Sequence, residues 1–213
     1  MLILGRNYVS HRKEIEEEKN SEALTKAESK SIKGVIDESS SNMSKASKKI
    51  KKIYSQSIQG LAKGDLSALK KNRKAVSKYS EEVDDLRNDL FYFIKNLDEE
   101  TIKGASNFYI NVLAYMQDIA ESLQYISKIT YKHINNNHRN LTFNQIRELQ
   151  EIDSELNNLY NEIQFIFSNE NLKELNKVID KKQELYSSLK EKIDIQIART
   201  KKDESSPKNT TLY

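Results

Sequence analysis

Residues 142–166, TFNQIRELQEIDSELNNLYNEIQFI, decide the fold. Ile146, Leu149, Ile152, Leu156, Leu159, Ile163 and Ile166 recur every three or four positions, which gathers them on one stripe of an α-helix. A half-buried strand would bring apolar residues at every second position instead. Thr142 with Gln145 three residues on has the capping-box pattern, in which hydroxyl and amide each satisfy one backbone N–H at the helix start. The spacing predicts an amphipathic helix that begins at Thr142 and buries its apolar side against other elements.

The same spacing runs outward in both directions. Downstream, Ser168-Asn169-Glu170-Asn171 reads as a turn, and a fifth helix carries Leu172, Leu175, Ile179, Leu189, Ile193 and Ile197 inward. Upstream, a third helix turns Phe108, Val112, Tyr115, Met116, Ile119, Leu123, Ile126 and Ile129 inward and stops in Asn135-Asn136-Asn137-His138. A second runs from Leu66 through Leu69, Val76, Tyr79, Val83, Leu86, Leu90, Phe93 and Leu97 to Asp98-Glu99-Glu100. It follows Gly64, suited to the left-handed end of a helix, and Asp65, suited to cap the next one. A first helix spans about residues 20 to 62 with Leu24, Ala27, Val35, Met43, Ala46, Ile50, Ile53 and Leu61, and its weakly helical stretch Asp37–Asn42 is open to a kink or a division. Short loops between long helices force antiparallel neighbours, so the expected fold is an all-α, elongated, antiparallel up-and-down helical bundle. Residues 1–19 read as an N-terminal stub or linker, 20–200 as the bundle, and 201–213 as a flexible tail or the start of a truncated helix.

Composition agrees with long helices. The 213 residues include five Gly and one Pro, too few for many tight turns, and 31% are charged. There is no Cys, which excludes disulfides, thiolate metal sites and thiol nucleophiles and fits a reducing compartment. The longest apolar run, Leu90-Phe91-Tyr92-Phe93-Ile94, is far short of the ~20 residues that span a bilayer. With 35 basic and 32 acidic residues, net charge by itself points to no nucleic acid.

The candidate functional residues are charged and lie on helices. The three histidines, His11, His133 and His138, have no nucleophile partner in the sequence, so an enzyme is not expected. His133 and His138 are five apart, off the four-residue spacing that lets two imidazoles share a metal, and a helix-end role is expected. Glu81 and Asp85 share one helix face and Gln117 and Glu121 another, both opposite the apolar stripes; from spacing, they are either solvated acidic faces or oxygen ligands for a hard cation. Two basic clusters, Lys45, Lys48, Lys49, Lys51, Lys52 and Lys70, Lys71, Arg73, Lys74, Lys78, come side by side if the helices fold back at Gly64. They serve solubility or attract a polyanion, acidic headgroups or an acidic protein surface; within them Lys48, Lys49, Lys52, Lys70, Lys71 and Lys74 are the candidate interaction residues. Few aromatics interleave with them, which argues against nucleic acid, and Tyr54 and Tyr79 are expected to pack inward.

The stretch Ile110–Ser127, then Asn136-Asn137-His138-Arg139-Asn140-Leu141 and Gln145-Ile146-Arg147-Glu148-Leu149, resembles the cytoplasmic PhoU-like region that follows the membrane domain of bacterial sodium-dependent phosphate cotransporters. The resemblance extends over about residues 20 to 200 and is most specific from Met116 to Leu149. It implies a noncatalytic regulatory or accessory domain made of repeated three-helix units, on the cytoplasmic side of the inner membrane. Its implied partner is a membrane phosphate transporter, in cis or in trans, or a signalling protein. A general helical scaffold and a metal-binding PhoU-like protein are the alternatives. Relatives of this kind carry acidic E/D-x-x-x-D motifs that bind clusters of divalent or iron-type metal; here Glu81-x-x-x-Asp85 matches, whereas Gln117-x-x-x-Glu121 has an amide in place of one carboxylate. The implied metal residues are Glu81, Asp85 and Glu121, and no other cofactor is expected. The resemblance also implies that the bundle lacks its last helix, which would leave an apolar groove on which a homodimer could form.

Overall fold

The computed structural model describes residues 32–95, 99, 102, 107–169 and 172–213. Among them there is no strand. Six α-helices follow in order: α1 (Ile32–Lys63), α2 (Leu66–Lys95), α3 (Asn107–Asn135), α4 (Phe143–Ser168), α5 (Leu175–Lys201) and α6 (Pro207–Leu212), with a 3-10 turn, Leu172–Glu174, leading into α5. The fold is an all-α helical bundle. Residues 1–31 and 96–98, which hold the N-terminal stub, the first part of the expected first helix, and Leu97 and Asp98, lie outside the described residues.

The chain divides into two compact units, one of residues 1–40 with 82–117 and the other of 41–81 with 118–213. The first buries Val83, Tyr109, Val112, Leu113 and Met116 together with Ser39 and Ser40. The second holds everything else, and side-chain bonds fix its helix register. Asn72 on α2 donates to the Ile53 carbonyl and Ser57 Oγ on α1 at 3.1 and 2.7 Å. Gln124 on α3 donates to Ser80 on α2 at 2.7 Å, and the Arg73 guanidinium stacks 4.7 Å over the Tyr131 ring. Ser44 pairs with Ser168, Lys51 with Asn161 and Ser55 with Asp153, so the number rises along α1 as it falls along α4. Each of these pairings is antiparallel, as short loops require.

The turns follow from the residues that form them. Gly64 takes φ +62°, a left-handed conformation costly for any residue with a Cβ, and Asp65 then accepts the Ala68 N–H at 2.9 Å. At Gly60, a Cβ would stand 2.7 Å from Leu69 Cδ2, so the absent side chain is what lets α1 and α2 close on each other. Thr142 caps α4, with Gln145 reaching back as the capping box predicts.

Three expectations change. The stretch Asp37–Asn42, open in the sequence to a kink or a division, does not divide: α1 is helical throughout it and Ser39, Ser40 and Asn42 are buried, so packing outweighs their weak helix propensity. Tyr115, assigned inward, is exposed. The largest difference is α5. Its side toward α4 carries Val178, Lys181, Leu185, Ser188, Lys192, Gln196 and Arg199: Leu185 joins Ile152 and Leu159 in a core cluster with Val178 packed on it, and the polar members bond to α4. The stripe assigned inward lies ~110° further round at 100° per residue. It is open instead, with Ile179 60% and Ile193 50% exposed, Leu175, Leu189 and Ile197 exposed beside them, and Tyr186 65% exposed on the same side.

Candidate functional site

The basic surface forms because α1 and α2 turn their apolar residues toward each other. Ile50, Ile53, Leu69 and Val76 are buried, and the intervening Lys48, Lys49, Lys52, Lys70, Lys71 and Lys74 are all exposed. The Asn72 bonds set the register, which brings Lys74 level with Lys52 and Lys78 level with Lys49 across the hairpin. Two members of the basic clusters belong to packing instead. Lys51 donates to Asn161 on α4 at 2.6 Å, and Arg73 lies on Tyr131. At the Gly64 end, an open groove is lined by Gln56, Gln59, Lys63, Asp65, Lys71 and Asn72, and the buried Asn72 Oδ1 meets no protein donor. The groove and the lysines together favour anionic or strongly polar partners over apolar ones.

The acidic residues are less assembled. Glu81 and Asp85 are exposed on α2, with Glu81 accepting a bond from Ser77 at 3.3 Å, and Glu121 is exposed on α3. Among the described residues, no group of three or more His, Asp or Glu is gathered closely enough to hold a metal ion.

His133 closes the turn after α3. Its ring Nε2 lies 3.0 Å from the Arg139 carbonyl, so Nε2 carries the proton and donates, and the His138 ring is 5.3 Å away. Burial holds the His133 pKa below the ordinary value, with the bond to Arg139 opposing and His138 adding to the fall. The ring is neutral at pH 7 and ties the turn together.

Sequence reasoning missed an extended polar assembly among the described residues, at the end of the bundle where α4 begins. Gln145 is 1% exposed and uses both ends of its amide: Oε1 accepts the Thr142 N–H at 2.9 Å, while Nε2 donates to Gln196 Oε1 at 3.0 Å and Ser205 Oγ at 3.1 Å. One turn on, Glu148 receives a two-pronged bond from Arg199 at 2.7 and 2.5 Å, and Tyr213 Oη donates to the same carboxylate. Residues 201–213, read as a flexible tail or the start of a truncated helix, turn back through Asp203 at φ 57°. They then form α6, capped by Ser206 with Pro207 in its first turn, and Asn209 Nδ2 donates to the Asn140 carbonyl at 3.2 Å. Gln196 donates to Ser205 and Thr210, completing the join.

The electrostatics of this assembly hold charges in place. The Arg199 bond keeps the Glu148 carboxyl below its usual range against the opposing effect of burial, with Tyr213 helping. Burial first, then Glu148, raises the Tyr213 phenol well above its ordinary value, and the Arg199 guanidinium is raised by Glu148. Elsewhere, Tyr54 is pushed up to about 12, chiefly by burial and then by Asp153. The signal that pointed to the assembly was a pair of polar residues, Gln145 and Glu148, within the inward stripe of α4, matched by Gln196 and Arg199 at the same spacing on α5.

Comparison with known protein families, with curated proteins and with solved structures gives no match for this chain.

Proposed function

We propose that this chain is a noncatalytic, PhoU-like regulatory or accessory domain of sodium-dependent phosphate transport, acting through protein contacts on the cytoplasmic side of the membrane. The observation that carries the reading is the run from Met116 to Leu149, whose residues resemble that family. It occupies the second part of α3, the turn closed by His133 and the capped start of α4. Two further features support the reading. No helix among the described residues is long and apolar enough to cross a membrane, so the membrane part of such a system is a different segment or chain. The exposed lysines of the α1–α2 hairpin suit a negatively charged surface of a partner.

The test is sodium-driven uptake of radiolabelled phosphate by vesicles containing the cotransporter of the same source, with and without this chain. Uptake that changes by severalfold, together with saturable binding of the chain to the transporter, supports the reading. Unchanged uptake with no binding overturns it. Replacing Lys49, Lys52, Lys71 and Lys74 by Glu is expected to weaken binding at least tenfold and to remove its salt dependence.

A further inference from the structure

We infer that α5 is a self-association helix, on which two copies of the chain pair antiparallel along the open stripe Leu175, Ile179, Tyr186, Leu189 and Ile193. The stripe is independent of the transport reading and rests on exposure and spacing alone. Leu175, Ile179, Tyr186, Leu189, Ile193 and Ile197 are exposed along one side of a helix whose other side is held by α4. They offer on the order of 500 Å² of apolar surface, the size of the largest patch on a typical monomer, which is often functional.

The spacing specifies the partner. Leu175, Lys182 and Leu189 recur every seven residues, and Ile179, Tyr186 and Ile193 do the same four positions on, which is the alternating seam of a two-stranded coiled coil. A parallel pairing sets Lys182 against Lys182 of the second copy in the middle of the seam, where two like charges lose their water. The antiparallel register is different. It sets Leu175 against Ile193, Ile179 against Leu189 and Lys182 against Tyr186, with each contact made twice about a two-fold axis near Glu184. The ammonium then lies on an aromatic ring, and all remaining layers are apolar. On the flank, Gln183 meets its own copy and Asn176 meets Lys190, so no like charges face each other. The seam covers ~27 Å of helix, and both copies with their rims bury about 1,200 Å², the lower bound for a specific interface. Area alone does not set the affinity, so the pairing is sought over a wide range of concentration.

Analytical ultracentrifugation of the whole chain up to ~200 µM is expected to resolve a monomer–dimer equilibrium. Ile179→Glu and Ile193→Glu should each weaken it at least tenfold while leaving the circular dichroism and melting curve of the monomer unchanged, because both sites are half or more exposed. The chain has no native cysteine, so introduced thiols report the register directly. Gln183→Cys should cross-link to itself. Leu175→Cys mixed with Ile193→Cys should cross-link, and Ile193→Cys alone should not. A chain that stays monomeric, a dimer insensitive to both Glu variants, or efficient Ile193→Cys self-linking would each overturn the proposal.

Discussion

Replacing Gln145 by Glu separates two accounts of the same residue. If Gln145 serves only the capping box, Glu is an equal or better choice, since a carboxylate also accepts the Thr142 N–H and is favoured by the positive end of the α4 dipole. If it also joins α4 to α5 and α6, the change is costly. Its amide nitrogen makes two bonds, to Gln196 Oε1 at 3.0 Å and Ser205 Oγ at 3.1 Å, from a position only 1% exposed. Glu cannot donate either when ionised. The Ser205 hydroxyl rotates to donate and recovers one bond, but Gln196 Oε1 is left facing a like-signed oxygen. Losing one bond, leaving one buried acceptor unsatisfied and desolvating a charge together cost about 2–4 kcal/mol, with Arg199 near enough to offset only part. In a chain of this size that lowers the midpoint by roughly 5–15 °C at pH 7.5. The new carboxyl would be neutral more readily folded than unfolded, so its penalty is absent below the unfolded carboxyl pKa and complete above the folded one. Thermal melts by circular dichroism at pH 4 and pH 7.5 measure both the size and the sign. A Glu variant as stable as the native chain at pH 7.5 would refute the joining role.

Three other outcomes follow from the same geometry. Because Arg199 depresses the Glu148 pKa, the pairing stabilises the fold above the unfolded carboxyl pKa and loses that contribution as pH falls through the folded value; protection factors of the Asn209–Tyr213 amides against hydrogen exchange should fall over that range, and in Glu148→Gln they should be low at every pH. Gly60→Ala should destabilise by about 1–2 kcal/mol despite better helix propensity, because Leu69 is buried and 2.7 Å from the new Cβ, whereas Gly64→Ala should cost about 1 kcal/mol from backbone conformation alone; urea titrations compare the two. Burial raises the Asp153 pKa while bonds from Ser55 and Asn157 pull it back, so Ser55→Ala should raise it further and lose more stability at pH 7 than at pH 3, as read by carboxyl NMR titration and melting.

The elements that were legible in the sequence were those whose signal is local. Thr142 and Gln145 marked the start of α4 because a cap is a contact between residues three apart, and Gly64 with Asp65 marked the α1–α2 turn for the same reason. The lysine surface was legible too, since residues between inward positions on two helices point outward wherever the helices pack. Nothing local, by contrast, says that α1 continues through Ser39, Ser40 and Asn42, because what holds it is burial by distant residues. The same applies to residues 201–213, whose order depends on Gln196, Asn140 and Glu148 rather than on their own pattern.

The α5 stripe carries this reasoning furthest. Apolar spacing reports that a helix has a greasy side; it does not report which neighbour covers it. On α4 the apolar side and the packed side coincide, as the buried Ile152, Leu159 and Ile166 demonstrate. On α5 they separate, because the contacts with α4 are made by Lys181, Ser188, Lys192 and Arg199, each drawn to a polar group on α4. Those polar bonds turn the helix so that only Val178 and Leu185 reach the core, and the residues that the period marks as inward face solvent. A helix held by its polar side with its apolar side open is poorly explained by the folding of one chain alone, since rotating α5 by ~110° would bury the stripe at the expense of those ion pairs. The arrangement makes physical sense once a second surface covers the stripe, and the heptad spacing with its single central lysine selects an antiparallel copy of α5 as that surface.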